Sequence, residues 1–229
     1  MIRTLHAQAG TQFFVAAGID ATYAIPDSDN FYTFFYRIYD EPETLLEYAG
    51  HYTNWAIHQM EQLIEAGAGI MYLCSDYCFN QGSFLSPAQF EQFIYPYLRQ
   101  EIQALRRAGA YVIKHTDGNI LPILEMMLDC GPHAIHSIDP IAGLNIRQVK
   151  ERINGRAAIM GNVNSAMLQM GDLAGIQESA EYALSWGMPG GGYIFSTCNS
   201  VFEGIQLSSY QAMLDVRQRL GRYAADSVR

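Results

Sequence analysis

The chain has 229 residues and a net charge of −9, with 49% hydrophobic and 16% charged residues. So much apolar material fills a sizeable core and excludes a disordered segment, while an acidic total argues against nucleic acid, whose phosphates need a basic face. No apolar run approaches the ~18–20 residues that span a bilayer.

In chain order, QFFVAAGI (12–19) reads as a buried strand. A loop rich in Asp, Ser and Asn follows. The aromatic run FYTFFYRIY (31–39) suits core or subunit interface better than a ligand box. Asp40 with Glu43 three residues on suggests a capping box for a long helix that Gly67 ends. GIMYLC (69–74) is the next strand. Ser86, Pro87 and Gln89 mark a helix start, since serine caps, proline fits the first position and glutamine reaches back. Phe90, Phe93, Ile94, Tyr97, Leu98, Ile102 and Leu105 then form one apolar face up to Gly109. Strands are expected at 111–115, 134–138, 157–161 and 192–197, and helices at 119–130, 146–153, 172–187 and 207–220.

About six strand–helix units with short connections imply parallel strands and right-handed crossovers. Doubly wound sheets and eight-stranded barrels both satisfy this, but no Gly-x-Gly-x-x-Gly follows a strand, which disfavours a dinucleotide fold. No repeat or linker divides the sequence, so residues 1–229 read as one domain.

Polar residues follow five successive strands: Ser75-Asp76-Tyr77, His115-Thr116-Asp117-Gly118-Asn119, Asp139, Asn162-Val163-Asn164 and Cys198-Asn199-Ser200. In a barrel these ends converge on one mouth, where catalytic groups sit. Asp139, Asn162 and Asn164, taken singly, read as turn or cap residues. His115 and Asp117, two residues apart beside a glycine, read instead as two ligands or an acid–base pair. His133 and His136 flank or lie in a strand, and His51 and His58 lie on the long helix as surface or packing residues. Cys74 and Cys130 read as small buried apolar groups, whereas Cys78 in a loop stays open. The four cysteines lack zinc-ribbon spacing and MIRTLHAQAG lacks a signal peptide's regions, so free thiols in the cytoplasm are expected.

The segments SDYCFNQGSFLSPAQFEQFIYPYL, KHTDGNILPILEMMLDCG, AAIMGNVN, PGGGYIFSTCNS and YQAMLDVRQRLGRY, in this order, resemble the uroporphyrinogen decarboxylase superfamily. The resemblance implies a TIM-type (β/α)8 barrel, here incomplete, with about six units present and the first two strands missing. It implies decarboxylation of uroporphyrinogen or cobalamin-linked methyl transfer. The arginine loop and pyrrole-binding aspartate of the decarboxylases fall in the missing part and are not carried over. The zinc methyltransferases of this family use His-x-Cys and a distant Cys. Here His115-Thr116-Asp117 stands in that place, with Cys198 near the position of the second thiolate.

Three functions follow. In the first, a metal-dependent methyltransferase-like enzyme holds zinc at His115, Asp117 and Cys198, with a corrinoid or corrinoid protein as substrate or partner. Asp76, His115 and Asp117 are its catalytic candidates, and Gln81, Asn119, Asp139, Asn162 and Asn199 its substrate-binding ones. The second is cofactor-free decarboxylation in tetrapyrrole synthesis. The third is a noncatalytic fragment or binding module. Two open sheet edges also predict a homodimer that covers them.

Overall fold

The computed structural model describes residues 1–223. Along the chain run α1 (Ile2–Ala9), β1 (Ala16–Ala17), α2 (Phe31–Asp40), α3 (Pro42–Glu65), β2 (Ile70–Leu73), β3 (Cys78–Phe79), β4 (Gly82–Ser83), α4 (Pro87–Phe93) and α5 (Tyr95–Arg107). They continue with β5 (Tyr111–His115), α6 (Leu124–Asp129), β6 (Ala134–His136), α7 (Ile146–Ile153), β7 (Ala158–Val163), α8 (Ser165–Met170), α9 (Leu173–Gly187), β8 (Tyr193–Thr197) and α10 (Leu207–Leu220). One sheet has the order β1-β2-β5-β6-β7-β8, and β3 and β4 form a separate hairpin. The pairs β1–β2, β2–β5, β6–β7 and β7–β8 are parallel. Six strands in sequence order with helices between them are the pattern of a (β/α)8 barrel lacking two strands.

The described residues form two compact units: Met1–Cys78, Gly82–Thr116 and Ile120–His133 make up the first, and Phe79–Gln81, Asp117–Asn119 and the chain from Ala134 onward the second. In the first, α3 and α5 bury Leu45, Ala49, Met60, Leu98, Ile102 and Leu105. Gly18 has no alternative here, because a Cβ would collide with the Tyr72 carbonyl oxygen across β1–β2. In the second, Val163, Leu168, Ile176, Ala180, Leu184, Met213 and Val216 form a continuous core.

The capping box at Ser86 is present as read, with the Ser86 hydroxyl accepting from the Gln89 N–H and the Gln89 side chain accepting from the Ser86 N–H. The helix behind it differs from the expectation: it breaks at Ile94 and restarts as α5 at Tyr95, with Pro96 in the first turn. Proline has no N–H and its ring crowds the carbonyl four residues back, so the unbroken ladder cannot form. Asp40 is not a cap but the last residue of α2. The helix beyond it starts at Pro42 with Glu41 in the cap position and no side-chain cap bond. Proline both fixes that start and excludes the residue before it from helical geometry.

The first strand shrinks from 12–19 to Ala16–Ala17 and leaves Phe13 and Phe14 exposed. The helix expected over 119–130 begins only at Leu124, beyond Pro122. In the aromatic run 31–39 only Ile38 is buried, and Tyr32, Tyr36 and Tyr39 face outward, so that run is not core. Cys74 is exposed, against the expectation, because it follows the last residue of β2 rather than lying within it, while Cys78 and Cys130 are buried. Burial pushes both of those thiols up to about 12.

Candidate functional site

In the first unit, β5 alternates its side chains in the usual way, and its last residues are almost wholly enclosed. Lys114 and Thr116 are 0% exposed and His115 9%. His115 Nε2 lies 3.5 Å from Asp76 Oδ1, and its ring stacks on Tyr72 at a centroid distance of 6.0 Å. The Asp76 side chain stays 42% exposed against 11% for His115, so the pair has one open side. Asp117 follows two residues after His115. One ligand atom from each of Asp76, His115 and Asp117 lies within 4.8 Å of the others.

Beneath this pair lies a group of buried charges that sequence reasoning missed. Lys114 Nζ donates to Asp20 Oδ2 at 2.6 Å and to the Ser75 carbonyl at 2.9 Å, and sits 4.1 Å from the centre of the Tyr77 ring. Asp20 Oδ1 accepts from the Thr22 N–H and hydroxyl, and its Oδ2 accepts from the Ser75 N–H. Burial pushes the Asp20 carboxyl up, but the Lys114 charge and these hydrogen bonds outweigh it and hold it below 3.8. Glu101 is 0% exposed and accepts from the Ala21 N–H through Oε1, while its Oε2 has no hydrogen-bond partner among the described residues. Burial, and then the Asp20 charge, push this carboxyl well above 4.5. Glu101 thus holds its proton more tightly than a solvated carboxyl, which lowers the cost of a second buried anion. Two signals were available in the sequence: a lysine inside an otherwise apolar strand, and an aspartate directly after one.

At the second unit's strand ends the buried polar groups are mostly neutral, with Asp139 the exception. Cys198 is 1% exposed, and its Sγ meets the Ser165 N–H at 3.4 Å and the Ser165 hydroxyl at 3.3 Å. Burial raises this thiol, against the lowering effect of the Ser165 hydrogen bonds. The group formed by Asp76, His115 and Asp117 does not include Cys198. Asn199 donates its side-chain amide to Asp117 Oδ2. Asp139 closes its own turn, accepting from Ile141 N–H at 2.9 Å and Gly118 N–H at 3.2 Å. Asn162 donates its amide to the Ile138 carbonyl at 3.0 Å, and Asn164 caps α8. Gln81 is exposed in the turn of the β3–β4 hairpin, and the Asn119 N–H bonds the Phe79 carbonyl at 2.9 Å. His136 is buried with Nε2 against the Thr197 carbonyl, and His133 accepts from Val112 N–H. His51 and His58 are exposed on α3.

The uroporphyrinogen decarboxylase (URO-D) family model matches residues 11–220. The chain belongs to that family. Among curated relatives, the uroporphyrinogen decarboxylase of Anaeromyxobacter dehalogenans is 27% identical over 202 residues, covering 88% of this chain and 56% of the relative. That of Coxiella burnetii is 22% identical over 201 residues, covering 83% and 52%. The chain thus spans about half the length of these relatives. Among solved structures, a methyltransferase from Methanosarcina mazei superposes with a TM-score of 0.80 at 21% identity, over 96% of this chain and 63% of that one. The fold is therefore the barrel fold of that enzyme. Among the described residues no helix is long and apolar enough to cross a membrane.

Proposed function

We propose that this family member is a metal-dependent, methyl-transfer-type enzyme acting on a small molecule or a corrinoid, with a divalent ion such as zinc held by Asp76, His115 and Asp117. The observation that carries the reading is the convergence of one imidazole and two carboxylates within 4.8 Å. The donor set fits the ion. Ligand atoms at about 2.0–2.2 Å from a tetrahedral zinc are about 3.3–3.5 Å apart, and three protein ligands leave a fourth position for substrate. The Asp76–His115 pair already has this spacing, at 3.5 Å.

When bound, the ion supplies Lewis-acid polarisation or lowers the pKa of a coordinated group. The residues do the rest. His115 presents Nε2 with its ring fixed against Tyr72, and Asp76 offers the half-open carboxylate on the side where substrate arrives. Asn199 orients Asp117 by donating to its second oxygen. Gln81, on the exposed hairpin, is the candidate to orient substrate. Two carboxylates make the site harder than one with thiolates, which favours oxygen- or nitrogen-bearing substrates over thiols.

Decarboxylation of a tetrapyrrole is the second reading, supported by the names of the curated relatives. Elemental analysis of the dialysed protein beside His115→Ala separates the two. The expected result is about one zinc per chain, lost in the variant with its far-UV circular dichroism unchanged, together with loss of methyl transfer to a free corrinoid. Equal metal content near zero in both proteins would shift the assignment to decarboxylation. Turnover retained in His115→Ala would remove that histidine from the site.

A further inference from the structure

The sheet ladder does not fix Asp76. β2 ends at Leu73, and residues 74–77 pair with no strand. Two backbone bonds reach it, from the Ile25 N–H to the Asp76 carbonyl and from the Phe84 N–H to the Tyr77 carbonyl, both at 2.8 Å, and side chains hold it on two further sides. The Ser75 N–H donates to Asp20 Oδ2 at 2.8 Å, and the Ser75 carbonyl accepts from Lys114 Nζ at 2.9 Å. On the other side of Asp76, the Tyr77 N–H donates to Thr116 Oγ1 at 2.8 Å. The residues before and after Asp76 are thus tied to the residues before and after His115.

From this we infer that Lys114 and Thr116 are positioning residues, which set the Asp76 carboxylate against His115 from both flanks. The inference rests on Asp76 and His115 being site residues, as argued above. Its physical basis is the tolerance of such sites. Groups that act together must be held to within about 0.5 Å, which an unpaired loop segment does not provide by itself. Lys114 is costly where it stands, because a buried ammonium must be desolvated and is compensated only by its partners. Its head group reaches three of them, Asp20, the Ser75 carbonyl and the Tyr77 ring, and two of these lie in the segment around Asp76. Thr116 is 0% exposed and gives its oxygen to the Tyr77 N–H. The two clamps are chemically independent, one ionic and one neutral, so they can be tested apart.

Three variants of the full chain test this. Thr116→Val removes the acceptor at nearly constant volume, Thr116→Ser keeps it, and Lys114→Met with Asp20→Asn removes both charges so that neither is left alone. Two quantities are measured: the separation of Asp76 Oδ1 and His115 Nε2 in crystals, and zinc affinity by competition with a chelator. In Thr116→Val and in the double variant the pair should open beyond the ion-pair limit of about 4 Å, and zinc affinity should fall about 10–100-fold. Thr116→Ser should restore both. A separation that stays at 3.5 Å in both variants overturns the inference, whatever happens to stability. Should the double variant not fold, Thr116→Val decides alone. An opened pair in a chain that never takes up zinc refutes the metal reading and leaves the positioning role standing. A closed pair with undiminished zinc binding refutes the positioning role and leaves the metal reading standing.

Discussion

Beyond β1, β2 and β5 the first unit buries full charges, Asp20 and Lys114 in contact, with the Glu101 carboxyl beside them, its pKa raised by burial and by Asp20. Beyond β6, β7 and β8 the second unit buries mainly amides, hydroxyls and a thiol, together with one carboxyl side chain, Asp139, that accepts from two backbone N–H groups. Glu101 Oε2 apart, these groups find partners among the described residues, but the penalties for error differ. A neutral hydrogen bond contributes about 1 kcal/mol net, whereas removing one member of a buried ion pair strands the other and costs about 3–5 kcal/mol. The charged arrangement is the more fragile, and it involves the residues next to His115 and Asp76.

The sharpest way to break this contrast is Lys114→Met alone. It should lower unfolding free energy by about 3–5 kcal/mol, read as a fall in the urea midpoint at unchanged slope. A loss under 1 kcal/mol would mean that Asp20 is as well solvated as the amides of the second unit.

Glu101→Gln sharpens the comparison through pH. The folded pKa of Glu101 is raised, so its contribution is full below about pH 4.5 and is lost as pH rises through the folded value. The glutamine variant escapes that loss. Its melting temperature should therefore gain on wild type as pH rises above about 4.5, by about 2–4 °C for each 1 kcal/mol recovered. Asp20 has the opposite sign: its lowered pKa stabilises the fold above about 3.8, and that is lost as pH falls through the folded value. Parallel melting curves for Glu101→Gln and wild type would show Glu101 to be hydrated.

The smallest effect belongs to the second unit. Asn164→Ala deletes a cap whose side chain accepts from Ala166 N–H at 2.9 Å, and should cost about 1 kcal/mol. Its zinc content should match that of wild type.

Much of the alternation was legible because each strand is a short apolar run and each helix has punctuation. Ser86-Pro87-Ala88-Gln89 and the glycines after α5 and α6 lie where local chemistry places them. Asp40 and Glu43 show the limit of that reasoning. The spacing of a capping box was there, but Pro42 took the helix start and α2 took Asp40. Of the site, His115, Asp117 and Asp76 were visible as polar residues at strand ends, because topology alone brings such positions together. Lys114 and Asp20 stood out only as single residues, and their pairing, like that of Glu101, was not legible, since the partners lie 94 and 80 residues apart along the chain. No local pattern announces a buried pair of that separation.

Gly18 carries a consequence for the adaptability of this scaffold. With no side chain between them, the backbones of residues 16–18 and 70–72 touch directly, so any occupant larger than hydrogen at position 18 displaces β2 and with it the segment from Ser75 to Tyr77. In a directed-evolution library that position is closed, and selection acting there would disturb the Asp76 region without ever touching it. Variation that changes substrate preference while sparing the scaffold has to come from places such as the exposed turn at Asn80 and Gln81, where the chain reaches solvent and no other strand leans on it.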